Sequence, residues 1–230
     1  MTSIKIYDGP SLLDGARIIV ILTGLGARSR NAKTGDMLQT WIMRHDVKPN
    51  DAQQSGADAS VCGQCPLRPM LHAASPAAPK PCYVRTFQAP RAVWAAHRDK
   101  PTTELSTLAG IVGGRLVRRG SYGDPSAVPA AVWDALSASR GTGYTHQWRS
   151  GRLADTVMAS VHTEAERQEA RALGYRTFRV MAPGDTLGTR EIACPASKEA
   201  GALTTCEKCG LCNGSRGPGD KRADIAIMAH

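Results

Sequence analysis

Thr156-Val-Met-Ala-Ser-Val161, then His162-Thr-Glu-Ala-Glu-Arg-Gln-Glu-Ala-Arg-Ala-Leu-Gly174, then Tyr175-Arg-Thr-Phe-Arg-Val-Met181 decide how this chain folds. The first stretch is an apolar run of strand length. Thr163 and Glu166 have the spacing of a capping box, in which a hydroxyl and a carboxylate each satisfy an orphan backbone amide at a helix start. The helix so begun runs to Leu173 and stops at Gly174, the residue type that tolerates left-handed backbone at a helix end. Tyr175 to Met181 is again a strand. Strand, helix and strand in that order form a β-α-β unit, and such units build parallel sheets.

The same alternation extends in both directions. Leu116 to Tyr122 reads as a strand interrupted by Arg118 and Arg119, and Gly123-Asp-Pro-Ser126 as a turn and helix start. Val128, Val132 and Leu136 follow at a spacing of four on one helical face. Gly141 and Gly143 end that helix, and Tyr144 to Trp148 reads as the next strand. Upstream, Ile18 to Leu22 is a continuous apolar run ending in Thr23-Gly-Leu-Gly26, which suits a parallel strand buried on both faces. Residues 37–44 are apolar and fit helix or strand. Glu191 to Cys194 and Ile225 to Ala229 are short strands.

The expected class is therefore α/β with a mainly parallel sheet, either open or closed as an incomplete, degenerate TIM-like barrel with Cys-rich insertions. Against a complete barrel, seven residues separate Trp148 from Thr156 and nine separate Met181 from Glu191. Parallel crossovers usually take about a dozen or more. The chain reads as a single domain, 1–230, with a Cys-containing insertion at 46–90 and a Cys-rich segment at 194–216. An insertion that long, rich in Pro, Ala, Gly and Ser, is expected to be functional or ordered by something such as a metal.

With 230 residues, 42% apolar and 21% charged, the chain can bury a real core and is globular, not disordered. No apolar run reaches the length of a membrane span, so no membrane partner is expected. The start, Met1-Thr-Ser-Ile-Lys-Ile-Tyr7, lacks the apolar stretch of a secretory signal, which points to the cytoplasm. There thiols stay reduced, and cysteine patterns mean metal or catalysis more often than disulfides. The net charge of +9 favours a nucleic-acid partner, since Lys and Arg release counterions from phosphates; a basic soluble surface is the alternative. Two Phe and five Tyr are too few for a broad base-stacking platform.

All seven cysteines fall in two groups. Cys62-Gly-Gln-Cys65 is a C-x2-C pair with Cys82 sixteen residues on; Cys206-Glu-Lys-Cys209-Gly-Leu-Cys212 is C-x2-C-x2-C, with Cys194-Pro195 eleven residues before it. A C-x2-C turn puts two sulfurs on one side of a tight loop, within reach of one metal. Zinc would be held by Cys62, Cys65, Cys82 and His72, and by Cys194, Cys206, Cys209 and Cys212. The second group also resembles the cysteine run of bacterial ferredoxins, with Cys-Pro before the run instead of after it, so a 4Fe–4S iron–sulfur cluster is the other reading. The two groups form either two sites or one.

A second constellation lies at expected strand ends. Asp124, His146 with Gln147, and His162 follow successive strands, where α/β folds bind their ligands. They read as catalytic (Asp124, His146, His162) and cofactor-binding (Gln147) candidates. Taken singly, Asp124 is a helix cap, His146 packs on Trp148 and His162 is a solvated loop residue. The basic loop after the first strand, with Arg28, Arg30, Asn31, Lys33 and Thr34, lacks the glycine spacing of a P-loop. It is either a phosphate or cofactor site, through Asn31, Lys33 and Thr34, or a solvated loop.

Several segments together resemble a cysteine-rich family of bacteriophages and prophages: Asn31-Ala-Lys-Thr-Gly-Asp-Met37, Cys62-Gly-Gln-Cys-Pro66, Cys82-Tyr-Val84, Tyr122-Gly-Asp-Pro125, Gly143-Tyr-Thr-His-Gln-Trp148, Cys194-Pro-Ala-Ser197 and the final Cys-rich run. The resemblance spans most of the chain, brings no established activity with it, and implies a host-cytoplasmic setting. More loosely, the chain is similar to radical S-adenosylmethionine enzymes. These carry a three-cysteine cluster after the first barrel strand and, often, auxiliary clusters near the C-terminus. The similarity implies a 4Fe–4S cluster with S-adenosylmethionine at Cys62, Cys65 and Cys82, although C-x2-C-x16-C stands here in place of C-x3-C-x2-C.

Three functions follow. One is an iron–sulfur, radical-type enzyme acting on a nucleic acid or nucleotide. Another is a zinc-stabilised, non-catalytic nucleic-acid-binding protein. The third is a metal-dependent nuclease using Asp124 and the histidines, which lacks a visible carboxylate cluster.

Overall fold

A computed structural model describes residues 2–26, 32–72, 82–136 and 140–229. The strands in chain order are β1 (Ser3–Pro10), β2 (Arg17–Thr23), β3 (Leu38–Arg44), β4 (Val117–Tyr122), β5 (Gly141–Thr145), β6 (Met158–Val161), β7 (Thr177–Met181), β8 (Glu191–Ala193) and β9 (Asp224–Met228). They form one sheet in the order β1-β2-β3-β4-β5-β6-β7-β9-β8. β1 to β3 are antiparallel and every later ladder is parallel. The α/β class and the mainly parallel sheet are as expected.

The helices are α1 (Pro49–Ser55), α2 (Ala59–Cys62), α3 (Pro69–His72), α4 (Ala89–His97), α5 (Leu108–Val112), α6 (Ala130–Asp134), α7 (Glu164–Ala172) and α8 (Cys206–Cys209). The β6-α7-β7 unit forms where its local signals place it. Thr163 Oγ1 accepts from Glu166 N at 3.1 Å, and the Glu166 carboxylate accepts from His162 N at 2.7 Å, one residue before the cap. Gly174 ends the turn with φ +86°.

Three expectations are corrected. The run Ile18–Leu22 is fully buried, but β2 is antiparallel to both neighbours, because β1, unmarked in the sequence reading, returns beside it through Ser11–Ala16. Burial on both faces requires cover, not parallel direction. The strand expected at Tyr144–Trp148 is instead Gly141–Thr145, and Trp148 starts a 3-10 turn. Gly141 and Gly143 are in the strand because a side chain there would run into Val117 and Val157. The β5–β6 crossover is therefore 146–157, long enough for a parallel return. The short 182–190 link leads to β8, which pairs with β9 and not β7. Residues 37–44 resolve as strand β3, and the insertion at 46–90 is the first part of a β3–β4 crossover that carries α1 to α5.

The parallel strands have two distinct faces, as a period of two dictates. On β6, Ala159 and Val161 pack with Ala170 of α7, Trp148 and Tyr175. Met158 points the other way and packs with Cys194, Cys212 and Ile225. That second face carries the site. No helix among the described residues is long and apolar enough to cross a membrane.

Candidate metal and ligand cavity

Alternate residues of five strands line one cavity of about 550 Å³: Arg118 and Tyr122 of β4, Tyr144 of β5, Ser160 of β6, Phe178 of β7 and Ile225 of β9. All seven cysteines are in its wall. The first group comes from the β3–β4 crossover. The second comes from the end of β8 and the β8–β9 connection. The two groups therefore share one cavity but remain separate sets. Cys62 has Cys65 and Cys82 as its cysteine neighbours, whereas Cys212 has Cys194, Cys206 and Cys209.

The first group is built on a tight knuckle. Cys65 N donates to Cys62 O at 3.1 Å and Cys82 N to Leu67 O at 2.7 Å, which ties the distant cysteine to the pair. Backbone N–H groups of Leu67 and Arg68 are directed at the Cys65 sulfur, and that of Val84 at the Cys82 sulfur. Such donors favour a thiolate. Arg68 braces the loop from within, donating to Gly63 O and Gly56 O at 2.8 Å and pairing with buried Asp58 at 2.7 Å. Without a cation the sulfurs hold their protons: burial, helped by neighbouring Cys82 and Asp124, takes Cys65 up to about 12 against the backbone donors, and burial with Cys65 and Asp58 takes Cys62 well above its ordinary value.

The second group rests against the amino-terminal parts of the strands. Gly143 N of β5 donates to Cys212 O at 3.2 Å, and Cys206 N donates to Lys33 O at 2.7 Å. Arg176 donates to Leu211 O at 2.6 Å and Asn213 O at 3.1 Å. Burial raises Cys212 to about 12, against a hydrogen bond from the Tyr144 hydroxyl that favours its thiolate. Among the described residues no three His, Cys, Asp or Glu side chains stand in ready-made coordination. The sulfurs share walls, not yet a point.

The strand-end residues do come together. His146 and His162 stack with ring centroids 5.5 Å apart and Nε2 atoms 3.4 Å apart. His146 Nε2 is 3.9 Å from Cys65 Sγ. Burial lowers both imidazoles, His146 to about 3, so both are neutral at pH 7. His146 thus packs on His162 rather than on Trp148. Asp124 is fully engaged as a cap: its oxygens accept from Ser126 N at 2.9 Å and His146 N at 2.8 Å, and burial raises its pKa. Gln147, a cofactor-binding candidate in the sequence, holds the knuckle, donating to Cys62 O at 3.2 Å and accepting from Gln64 N at 3.3 Å. Lys33 and Thr34 line the cavity beside Cys206. Asn31, Arg28, Arg30 and the His72 side chain lie outside the described residues.

Sequence reasoning passed over Arg118, Tyr83 and Tyr144, all in the cavity wall. Arg118 was read as an interruption of its strand. Its phase with Tyr122, four residues on, was the available signal. Comparison with protein-family models, with curated proteins and with solved structures gave no match to this chain.

Proposed function

We propose that this chain is a metalloenzyme whose cysteines hold metal at two places around one substrate cavity, the first being a 4Fe–4S cluster on Cys62, Cys65 and Cys82. Three protein thiolates leave one iron of such a cluster for a substrate or for S-adenosylmethionine, the arrangement of a radical-type enzyme. Cys194, Cys206, Cys209 and Cys212 supply four thiolates for an auxiliary cluster. The observation that carries this reading is that all seven cysteines, from segments far apart in sequence, line the same cavity. In this reading the consecutive parallel strands are an incomplete TIM-like barrel and the cavity is its interior. A nucleotide or nucleic acid is the proposed substrate, on the net charge of +9.

The 3.9 Å approach of His146 Nε2 to Cys65 Sγ favours a second reading, zinc in a Cys3His site that stabilises a non-catalytic nucleic-acid-binding protein.

Anaerobic purification with an absorption spectrum and iron, sulfide and zinc analysis separates the two. Iron with sulfide is the expected result, and with S-adenosylmethionine and dithionite the protein should release deoxyadenosine. A colourless protein containing zinc alone sinks the radical reading; a protein with no metal sinks both. Affinity for nucleic acid should fall steeply with salt, and binding indifferent to salt counts against that partner.

A further inference from the structure

We propose that Arg118 is the anchor of an oxyanion subsite in the cavity, which takes the carboxylate or phosphate end of a small organic ligand. This rests on reading the cavity as a substrate site, and it adds the ligand's charge and its point of attachment.

Four other arginines of the scaffold, Arg68, Arg167, Arg176 and Arg179, are buried with their partners in place. Arg68 meets Asp58, Arg167 meets Asp224, and Arg179 meets Glu191. Arg176 meets three backbone carbonyls, those of Leu211, Asn213 and Ala223. Arg118 has neither arrangement. It is half-buried in the cavity wall, and its guanidinium donates to the Tyr83 hydroxyl at 3.0 Å. Among the described residues no carboxylate lies within ion-pair distance of it. A guanidinium offers five N–H donors in a planar fork, more than the one bond to Tyr83 uses.

No carboxylate supplies the missing charge: the groups that face Arg118 are the Tyr83 and Tyr144 hydroxyls and the Cys206 sulfur, itself one of the proposed metal ligands. Asp124 is the one carboxylate among the described lining residues, and backbone amides of Ser126 and His146 occupy its oxygens. Lys33 adds a second positive charge to the wall. The rest is largely apolar, with Tyr144 and Phe178 in ring contact at 4.6 Å. A cavity of about 550 Å³ is of the size that holds a small molecule. The complement is an oxyanion on a flat, apolar body. Tyr83, 76% exposed, stands beside Arg118 and fixes its fork.

The test is calorimetric titration of the metal-loaded protein with phenyl phosphate and, separately, benzoate. At least one should bind at one per chain, and the tighter of the two names the ligand's headgroup. Arg118→Gln should weaken binding roughly tenfold or more, as expected for a lost charge-assisted pair, and Tyr83→Phe by a few-fold. Should Arg118→Gln not fold, Arg118→Lys keeps the charge and loses the fork, and should also weaken phosphate or carboxylate binding. Failure of both probes to bind overturns the proposal, as does wild-type affinity in the folded Arg118 variant. Loss of second-group metal in Arg118→Gln, with no anion bound by the wild type, also overturns it, since the arginine is then a counter-ion for thiolates. Metal analysis of the same samples keeps the two ideas apart: a protein that takes up no metal yet binds the anion refutes the metal reading and leaves this one standing.

Discussion

Gly63→Ala tests whether the first cysteine group works as a metal knuckle. Gly63 has φ +55° and ψ −130°, backbone that a side chain makes strained at about 1–3 kcal/mol. A Cβ there would fall 2.5 Å from Gln147 Cδ, 2.6 Å from Oε1 and 2.7 Å from Nε2. What must give way is therefore the Gln147 amide, and with it the bonds to Cys62 O and from Gln64 N. Each is worth about 0.5–1.5 kcal/mol. Together the cost of the knuckle conformation is about 2–6 kcal/mol, so metal affinity should fall roughly 30-fold or more. Gln147→Ala gives up only the hydrogen bonds, about 1–3 kcal/mol, and should cost less. Both are measured by chelator competition in a Cys206→Ser/Cys209→Ser background, where the first group alone reports, with thermal unfolding as a check on the fold. Wild-type affinity in folded Gly63→Ala refutes the reasoning, and so does a larger loss in Gln147→Ala.

The remaining predictions concern the scaffold and the second group. Burial alone would raise Glu191, but Arg179 and Gly188 N bring it below the ordinary carboxylate value. A carboxyl depressed on folding stabilises above its unfolded pKa and loses that contribution as pH falls through the folded value. Urea midpoints should therefore hold between about pH 5 and 7 and drop below about pH 4.3, and the drop should shrink in Glu191→Gln. Tyr144→Phe removes the hydroxyl that favours the Cys212 thiolate; chelator competition should show weaker metal binding in the second group with the first unchanged. Thr163→Ala removes the cap that accepts from Glu166 N and should cost about 1 kcal/mol in urea unfolding, with metal content unaltered.

Where the signal was local, the sequence was legible. Thr163, Glu166 and Gly174 act through their immediate neighbours, and β6-α7-β7 forms as they dictate. Where one residue type serves two purposes, reading failed. Gly141 and Gly143 looked like a helix stop, yet they are small because adjacent strands press on them. The direction of β2 depended on β1, a partner whose Ser3–Pro10 pattern carries a buried lysine, Lys5, among its isoleucines. The two cysteine groups were evident from spacing. Their convergence on one cavity was not, because it is set by which strand faces point inward across the whole sheet. Asp124 and Gln147 were chosen for their place at strand ends, and the structure gives them to the backbone of the knuckle and the β4–β5 turns.

The sequence reading expected the long Cys-bearing insertion to be functional or ordered by something such as a metal, and side-chain hydrogen bonds supply part of that order. Arg68 and Gln147 together hold Gly56, Cys62, Gly63 and Gln64 through their backbone groups. Arg176 holds Leu211, Asn213 and Ala223 in the same way from the other side of the cavity. Among the described residues each cysteine loop is thus held in part by buried or half-buried side chains that donate to its backbone carbonyls. A metal arriving at these held turns has that much less backbone to order, so less of its binding energy would be consumed in folding than in a metal-dependent finger. That division suits a site where one face of the metal must stay accessible. Turns held by protein side chains would leave the cysteines of the proposed metal sites free to present a metal to the cavity where Arg118 stands.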